Sequence, residues 1–247
     1  MILLLTMAGK YSRFREFSYE IPKYFLPLSN RTVIHYVLDT LLESGKFDDV
    51  ILAANIRDER FRPQLISTLS EFGLGVDNIK FIEDTPGQSI TALEALSNLS
   101  DNPVAIHNID TILLGRDYTK VQKSIYQYDC ILDAFHANNS SYSYILEGER
   151  SSVSAIVEKE VVSNIASSGC YFFNSLKKFC DYSKIAANDR QYYISAAITK
   201  MIEAGLSVKK TKTHSEDSTV VLGTPSEYIT SIGTFDLLYN HYRRSNK

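Results

Sequence analysis

Apolar and polar positions follow two alternating periods along the first half of the chain. Ile2-Leu3-Leu4-Leu5-Thr6-Met7 is a short apolar run that breaks at Gly9, the pattern of a strand buried on both faces. Val33, Ile34, Val37, Leu38, Leu41 and Leu42 then recur at helical spacing, with Gly45 as the expected stop. Further strands are predicted at Val50–Ala54, Ile79–Ile82 and Val104–His107. Between them lie predicted helices over Arg60–Phe72, with Pro63 in the first turn, and over Ser89–Leu99, burying Ile90, Leu93 and Leu96. After about residue 128 the pattern changes. Cys130–Phe135, Tyr142–Leu146 and Val153–Val157 read as strands without intervening helices, hence antiparallel, and Gly169–Phe173 starts another. Leu176–Tyr182, Tyr192–Ala204 and Tyr228–Tyr242 read as helices. The whole predicts an α/β fold with a mixed, mostly parallel central sheet. No Pro/Gly/Ser-rich linker and no internal repeat divides it, so a single domain over 1–247 is expected.

Composition narrows the classes. The chain has 247 residues, enough for one large core, and 44% hydrophobic residues exclude a disordered chain. A net charge of −3 argues against an electrostatic nucleic-acid binder. Cys130, Cys170 and Cys180 show neither metal spacing nor an even disulfide count, which points to a reducing, cytoplasmic setting. The apolar N-terminus is too short for a signal peptide and lacks a basic leader, and no segment is long enough for membrane insertion. The five histidines show no zinc or metalloprotease spacing, and neither a G-x-S-x-G elbow nor a G-x-x-x-x-G-K-[ST] loop occurs. Self-association into a homo-oligomer is left open.

The chemistry concentrates after the first strand. Ala8-Gly9-Lys10-Tyr11-Ser12-Arg13-Phe14 and then Pro22-Lys23 make a connection with cationic side chains at Arg13 and Lys23. Ligands of open α/β sheets bind beyond the carboxyl ends of the strands, and backbone N–H groups with fixed positive charge suit a polyphosphate there. Further on, Asp110 follows the strand Val104–His107. Mg²⁺ favours one or two carboxylates together with phosphate oxygens and water, although an Asp after a strand is also a common turn former. Neighbouring His107 and Asn108 receive no role.

"MAGKYSRF" followed by "IPKYFLPLSNRTVIHYVLDTLLESG" resembles the signature region of the nucleotidyltransferases that make nucleotide-activated sugars, roughly A-G-x-G-x-R, a variable loop, P-K and a helix. The resemblance resumes at intervals over nearly the whole chain. It implies a Rossmann-like three-layer sandwich of the GT-A-like nucleotidyltransferase type, with a nucleotide-binding front half of about 1–125 and an acceptor-binding back half of about 126–247. It also implies transfer of a nucleotidyl group from an NTP to a phosphorylated acceptor, with Mg²⁺ and release of pyrophosphate. Ala8, Gly9 and Lys10 would contact the nucleotide, and Arg13 and Lys23 would be catalytic. Gly87 and Gln88 would lie against the base, although a plain turn and helix start explains that pair nearly as well. Asp110 would hold the metal. Glu158, Lys159 and Gly169 would hold the acceptor, matching the family's E-K-P segment and glycine–aromatic strand, where an isolated Glu-Lys pair would be only a solvated ion pair.

The departures are specific. Tyr11 stands where the family has its second loop glycine and must accept a less favourable conformation or a different loop path. Ile109 replaces the glycine before Asp110, and Glu160 the proline after Lys159. Val221 stands where D-x-G-T-P supplies a second metal aspartate. Glu216 or Asp217 substitutes only if the strand register differs; otherwise one carboxylate and the triphosphate must suffice. The most favoured reading is an enzyme acting on a sugar 1-phosphate for a surface polysaccharide such as a capsule. A CTP-dependent enzyme acting on choline or amino-acid phosphate, and a degenerate nucleotide-binding domain, are the alternatives.

Overall fold

The computed structural model describes residues 1–245. Strand β1 (Ile2–Met7) divides its side chains by the two-residue period of a strand: Leu3, Leu5 and Met7 enter one core, Ile2 and Leu4 another. The short helix α1 (Ser12–Glu16), strands β2 (Pro27–Leu28) and β3 (Arg31–Thr32), and helix α2 (Val33–Ser44) follow. Gly45 ends α2, but in an extended rather than a left-handed conformation. Next come β4 (Asp49–Asn55), α3 (Arg62–Ser70), β5 (Ile79–Ile82), α4 (Gln88–Ala95), β6 (Val104–Asn108), β7 (Thr111–Leu113) and α5 (Thr119–Ser124). The back half carries β8 (Cys130–His136), β9 (Ser143–Glu147), β10 (Val153–Glu158), β11 (Ile165–Phe173), α6 (Leu176–Asn188), α7 (Ile194–Glu203), β12 (Val208–His214), β13 (Thr219–Val221) and α8 (Pro225–Ser245).

Nine strands form one sheet in the order β10-β9-β11-β6-β1-β4-β5, with β8 paired to β11 and to β12. β1, β4, β5 and β6 are mutually parallel, and only β10 and β11 run against the remaining strands. Helices α2, α3, α5 and α8 pack on one face, and α4, α6 and α7 on the other, which makes the three layers. Among the described residues no helix is long and apolar enough to cross a membrane.

Several local expectations change. Helix α4 stops at Ala95 and fully buries Ser89, Thr91, Ala92 and Ala95, while Ile90 and Leu93 are only half-buried. Strand β8 is antiparallel to β11 as expected but parallel to β12, a strand the sequence hides because Val208-Lys-Lys-Thr-Lys-Thr-His214 is nearly all polar. β12 is an edge strand, where lysines discourage pairing with another chain. The small antiparallel sheet β7–β13, made of strands distant in sequence, is fastened by Arg116, whose side chain is fully buried with that of Asp133. Its guanidinium donates to Asp133 at 3.1 Å, to the Ser218 carbonyl at 2.9 Å, and to the Ser218 and Thr219 hydroxyls at 2.7 and 2.6 Å. A buried pair of this kind holds geometry because each remaining donor and acceptor is satisfied.

Candidate active site

Parallel pairing aligns the carboxyl ends of β1, β4 and β6: Thr6 sits beside Asn108, and Met7 beside Ala54. The loops leaving these ends therefore meet above the sheet. The first carries Ala8 to Arg13. Tyr11 takes the left-handed conformation, with φ 37° and ψ 38°, so the chain keeps a backbone shape suited to glycine without having one. Two contacts hold it there. Its hydroxyl donates to the buried Asp58 carboxylate at 2.5 Å, and the Arg15 guanidinium stacks 4.7 Å from its ring centre. Burial raises the Asp58 pKa, with the Tyr11 hydrogen bond pulling the other way. The Tyr24 hydroxyl also points at Asp58, at 3.5 Å.

Two cavities open beside this loop and share one wall, made by Gln88, Asn108 and Asp110. The first, of about 480 Å³, is lined by Ala8, Gly9, Lys10, Lys23, Gly87 and Gln88, among others. The residues expected at the nucleotide thus surround one space, except Arg13, which was expected with Lys23 at the polyphosphate and lies outside it. Lys10 reaches within 3.8 Å of Asp84, whose carboxylate also accepts from Arg57 and, at 3.0 Å, from Asn55. Gly87 is required by close approach. A Cβ there would lie 2.5 Å from Tyr192 Cβ and 2.7 Å from the Tyr192 carbonyl oxygen. The Gln88 amide nitrogen donates to Thr6 Oγ1 at 2.9 Å and to Asn108 Oδ1, so this donor is committed to the shared wall.

Asp110 lies in the turn between β6 and β7, ion-paired with Lys23, and both side chains are about one-fifth exposed. Burial works against the Asp110 charge, yet the ammonium and its hydrogen bond prevail and hold the carboxyl below its usual value. Ile109, in place of the family glycine, points into the core. His107 is fully buried in β6 with Nε2 2.7 Å from the Thr111 carbonyl, and burial lowers its pKa.

The second cavity, of about 300 Å³, takes in Arg13, Glu158, Gly169, Tyr193, Val221 and Glu227, among others. Arg13 lines this space and not the first, and among the described residues its exposed guanidinium makes no ion pair. Glu158 Oε2 accepts from the hydroxyls of Ser143 and, at 2.8 Å, Ser195. Gly169 has φ +81° in a bulge of β11 between Ser167 and Tyr171, and a Cβ there would meet Asn108 Nδ2 at 2.6 Å. Lys159 lines neither cavity. Its ammonium donates to the Tyr193 hydroxyl at 2.7 Å and sits 4.6 Å from that ring's centre.

Val221 pairs with Thr111, directly beside Asp110, so the register puts an apolar side chain at the place of the family's second carboxylate. Glu216 and Asp217 do not replace it, because they lie exposed in the turn before β13 and line neither cavity. The carboxylate that comes near is Glu227. A Cβ built on Gly223 would lie 3.4 Å from Glu227 Oε2 and 3.5 Å from Asp110 Oδ2, so both face the same small space. Glu227 also closes a capping pair with Thr224, whose hydroxyl donates to it at 2.9 Å. In the sequence Glu227 suits the start of the following helix, which says nothing of its proximity to Asp110. Asn108, Tyr193 and the serines of the second cavity carried no sequence signal.

Comparison with known proteins adds an independent line. The family model for nucleotidyl transferases matches residues 2–240. The chain belongs to the nucleotidyl transferase family. A mannose-1-phosphate guanyltransferase of Gibberella zeae is 27% identical over 180 residues, 70% of this chain and 49% of that protein, so the chain spans about half its relative's length. Among solved structures, a nucleoside-diphosphate-sugar pyrophosphorylase from Vibrio cholerae RC9 superposes with a TM-score of 0.77 at 20% identity, covering 94% of this chain and 100% of the other. A UDP-glucose pyrophosphorylase complexed with UDP-glucose gives 0.72 at 17% identity, covering 95% and 97%. The inositol-1-phosphate CTP transferase from T. maritima gives 0.72 at 13%, covering 94% of each chain. These likenesses establish the fold, a three-layer nucleotidyltransferase sandwich of the GT-A-like type.

Proposed function

We propose that the protein transfers a nucleotidyl group from an NTP to a sugar 1-phosphate and releases pyrophosphate, as a cytoplasmic step toward a surface polysaccharide. The observation that carries this reading is the pair of cavities sharing the Gln88–Asn108–Asp110 wall, one flanked by Lys10 and Lys23 and the other by Arg13 and Glu158. Two substrates in these spaces would meet at that wall, as an in-line displacement requires. The acceptor phosphate oxygen attacks the α-phosphorus, the bond to the bridging oxygen breaks, and pyrophosphate leaves with that electron pair. An acceptor phosphate is ionised near neutral pH, so no general base is needed, and catalysis is positioning plus charge neutralisation. Lys23 would stabilise the α-phosphoryl group. Arg13, expected from the resemblance to offset charge on the leaving pyrophosphate, lines the second cavity instead and would there meet the incoming phosphate.

Mg²⁺ fits the donor set. Among the described residues no group of three or more His, Cys, Asp or Glu side chains is placed to hold a metal, but Asp110 and Glu227 flank one space beside Gly223. Two carboxylates, with phosphate oxygens and water for the remaining positions, is the usual pattern for this ion. When bound it would offset charge on the triphosphate. Glu158 with its two serine donors supports a polyhydroxylated acceptor, while Phe135, Tyr142, Tyr171 and Tyr193 in the same cavity keep a quaternary-ammonium acceptor such as phosphocholine as the second reading. The unpaired Arg13 and the charged wall argue against a domain that only binds nucleotide.

The test is pyrophosphate release with each of the four common NTPs, Mg²⁺, and a panel of sugar 1-phosphates, phosphocholine and amino-acid phosphates. Release that needs one NTP and one sugar 1-phosphate supports the proposal and names both substrates. Release only with phosphocholine or an amino-acid phosphate replaces the acceptor class. No release, with NTP binding retained, leaves the binding-domain reading.

A further inference from the structure

Asp58 is 1% exposed, the buried member of the turn Ile56–Phe61 that follows β4. Its two oxygens are met by tyrosine hydroxyls, Tyr11 on Oδ1 at 2.5 Å and Tyr24 on Oδ2 at 3.5 Å, and among the described residues it forms no ion pair. Burying a carboxylate without a paired cation is costly, so its place here calls for a purpose other than stability. The carboxylate stands on a rigid frame. β4 pairs with β1 up to Met7 and Ala54, and the Asn55 side chain accepts from the Arg57 N–H at 3.0 Å, which fixes the turn to the end of the strand. Tyr11, in contrast, stands on a loop. Its carbonyl accepts the N–H groups of Phe14 and Arg15 at 3.0 and 3.1 Å, so the first turn of α1 hangs from it. That turn carries Arg13, which lines the second cavity, while Ala8, Gly9 and Lys10 on the other side of Tyr11 line the first. Asp58 lines neither. Glycine would hold the left-handed shape at position 11 without penalty, whereas tyrosine needs an anchor to stay in it.

We infer that Asp58 is a positioning residue, acting through Tyr11 to hold Arg13 and the Ala8–Lys10 loop at their two cavities. The inference rests on the transferase reading above and adds to it a residue outside both cavities. A displacement of about 1 Å in a reacting geometry costs on the order of 10²-fold in rate, so a loosened loop is read in turnover and not in stability alone. Because the anchor serves a strained tyrosine, the need for Asp58 disappears when residue 11 is glycine.

The test is a double-mutant cycle of Asp58→Ala and Tyr11→Gly. kcat and KM for NTP and sugar 1-phosphate, and the Kd of a non-hydrolysable NTP analogue, are measured at a temperature where circular dichroism shows all four proteins folded. In the wild-type background Asp58→Ala should lower kcat/KM by about tenfold or more. In the Tyr11→Gly background the same substitution should lower it by less than about threefold. Equal factors in the two backgrounds would mean that Asp58 serves the fold alone, which overturns the inference, as would unchanged kinetics in Asp58→Ala. If Asp58→Ala does not fold, Tyr11→Phe removes the same hydrogen bond and leaves the carboxylate in place. It should then lower kcat/KM by about tenfold, and unchanged kinetics there overturn the inference. A wild type without turnover overturns the transferase reading alone, and the same two factors are then read in the Kd of the NTP analogue. A wild type that neither turns over nor binds the analogue overturns both.

Discussion

Tyr11 occupies a conformation that costs an L-residue about 1–2 kcal/mol, and its hydroxyl is tied to a carboxylate buried beneath the loop. The side chain therefore both strains the loop after β1 and anchors it. Tyr11→Phe keeps the strain and removes the donor, leaving the long contact from Tyr24 as the side-chain hydrogen bond to Asp58 among the described residues. It should cost about 1–3 kcal/mol, read as a lower urea midpoint. Tyr11→Gly removes strain and donor together and should cost less than Phe; a Phe variant as stable as the wild type would rule out the anchor. Lys23 raises a different issue at this scale, since its ammonium faces the Asp110 carboxylate at the shared wall. Lys23→Ala should lower turnover by about 10²–10³-fold with an unchanged circular-dichroism spectrum. Near-normal turnover would remove Lys23 from the chemistry.

Two elements carry their own consequences. The bulge in β11 exists because Gly169 can take φ +81° and leave room for Asn108, whose side chain is held by Gln88. Gly169→Ala would push a methyl group into that amide. The variant should fold with a lower melting temperature and lose at least tenfold in kcat/KM, a larger effect than its stability loss explains; unchanged kinetics would show that the Asn108 position is immaterial. At the other end of the back half, His214 closes β12 beside the buried Arg116–Asp133 pair. Burial first and Arg116 second push its pKa from 6.5 down to about 4, against the pull of Asp133. The fold thus prefers the neutral ring, and below pH 6.5 the unfolded chain takes up the proton first. Stability linked to His214 is complete above pH 6.5 and is lost as the pH falls toward about 4, by at most about 3 kcal/mol. Denaturation midpoints measured across that window should slope downward with falling pH, and His214→Gln should flatten part of the slope. An equal slope in the variant would assign the loss to other groups.

At the scale of the whole molecule, residues 192–195 join the two cavities. The Ser89 N–H donates to the Tyr192 carbonyl at 2.9 Å, against the tight Gly87 contact, while Ser195 bonds Glu158 and Tyr193 bonds Lys159. A segment fastened at both sites should make their occupancies interdependent, and such coupling is reciprocal. A non-hydrolysable NTP analogue should therefore lower the acceptor Kd at least fivefold; equal values with and without it would show that the sites act independently. The same long-range packing explains what could be read in advance. The sequence by itself determined the order of the longer strands and helices, the cationic loop after β1 and the aspartate after β6, because these depend on local periodicity and on spacing within one connection. It could not show β12, whose neighbours and not its own side chains make it a strand. Only the tertiary structure decided that Tyr11 keeps the loop in a glycine-like shape, that Arg13 faces the second cavity, that Lys159 rests on Tyr193, and that Glu227 rather than Glu216 or Asp217 comes up beside Asp110. Each of these is a meeting of side chains from distant segments, and strand pairing sets which of them meet.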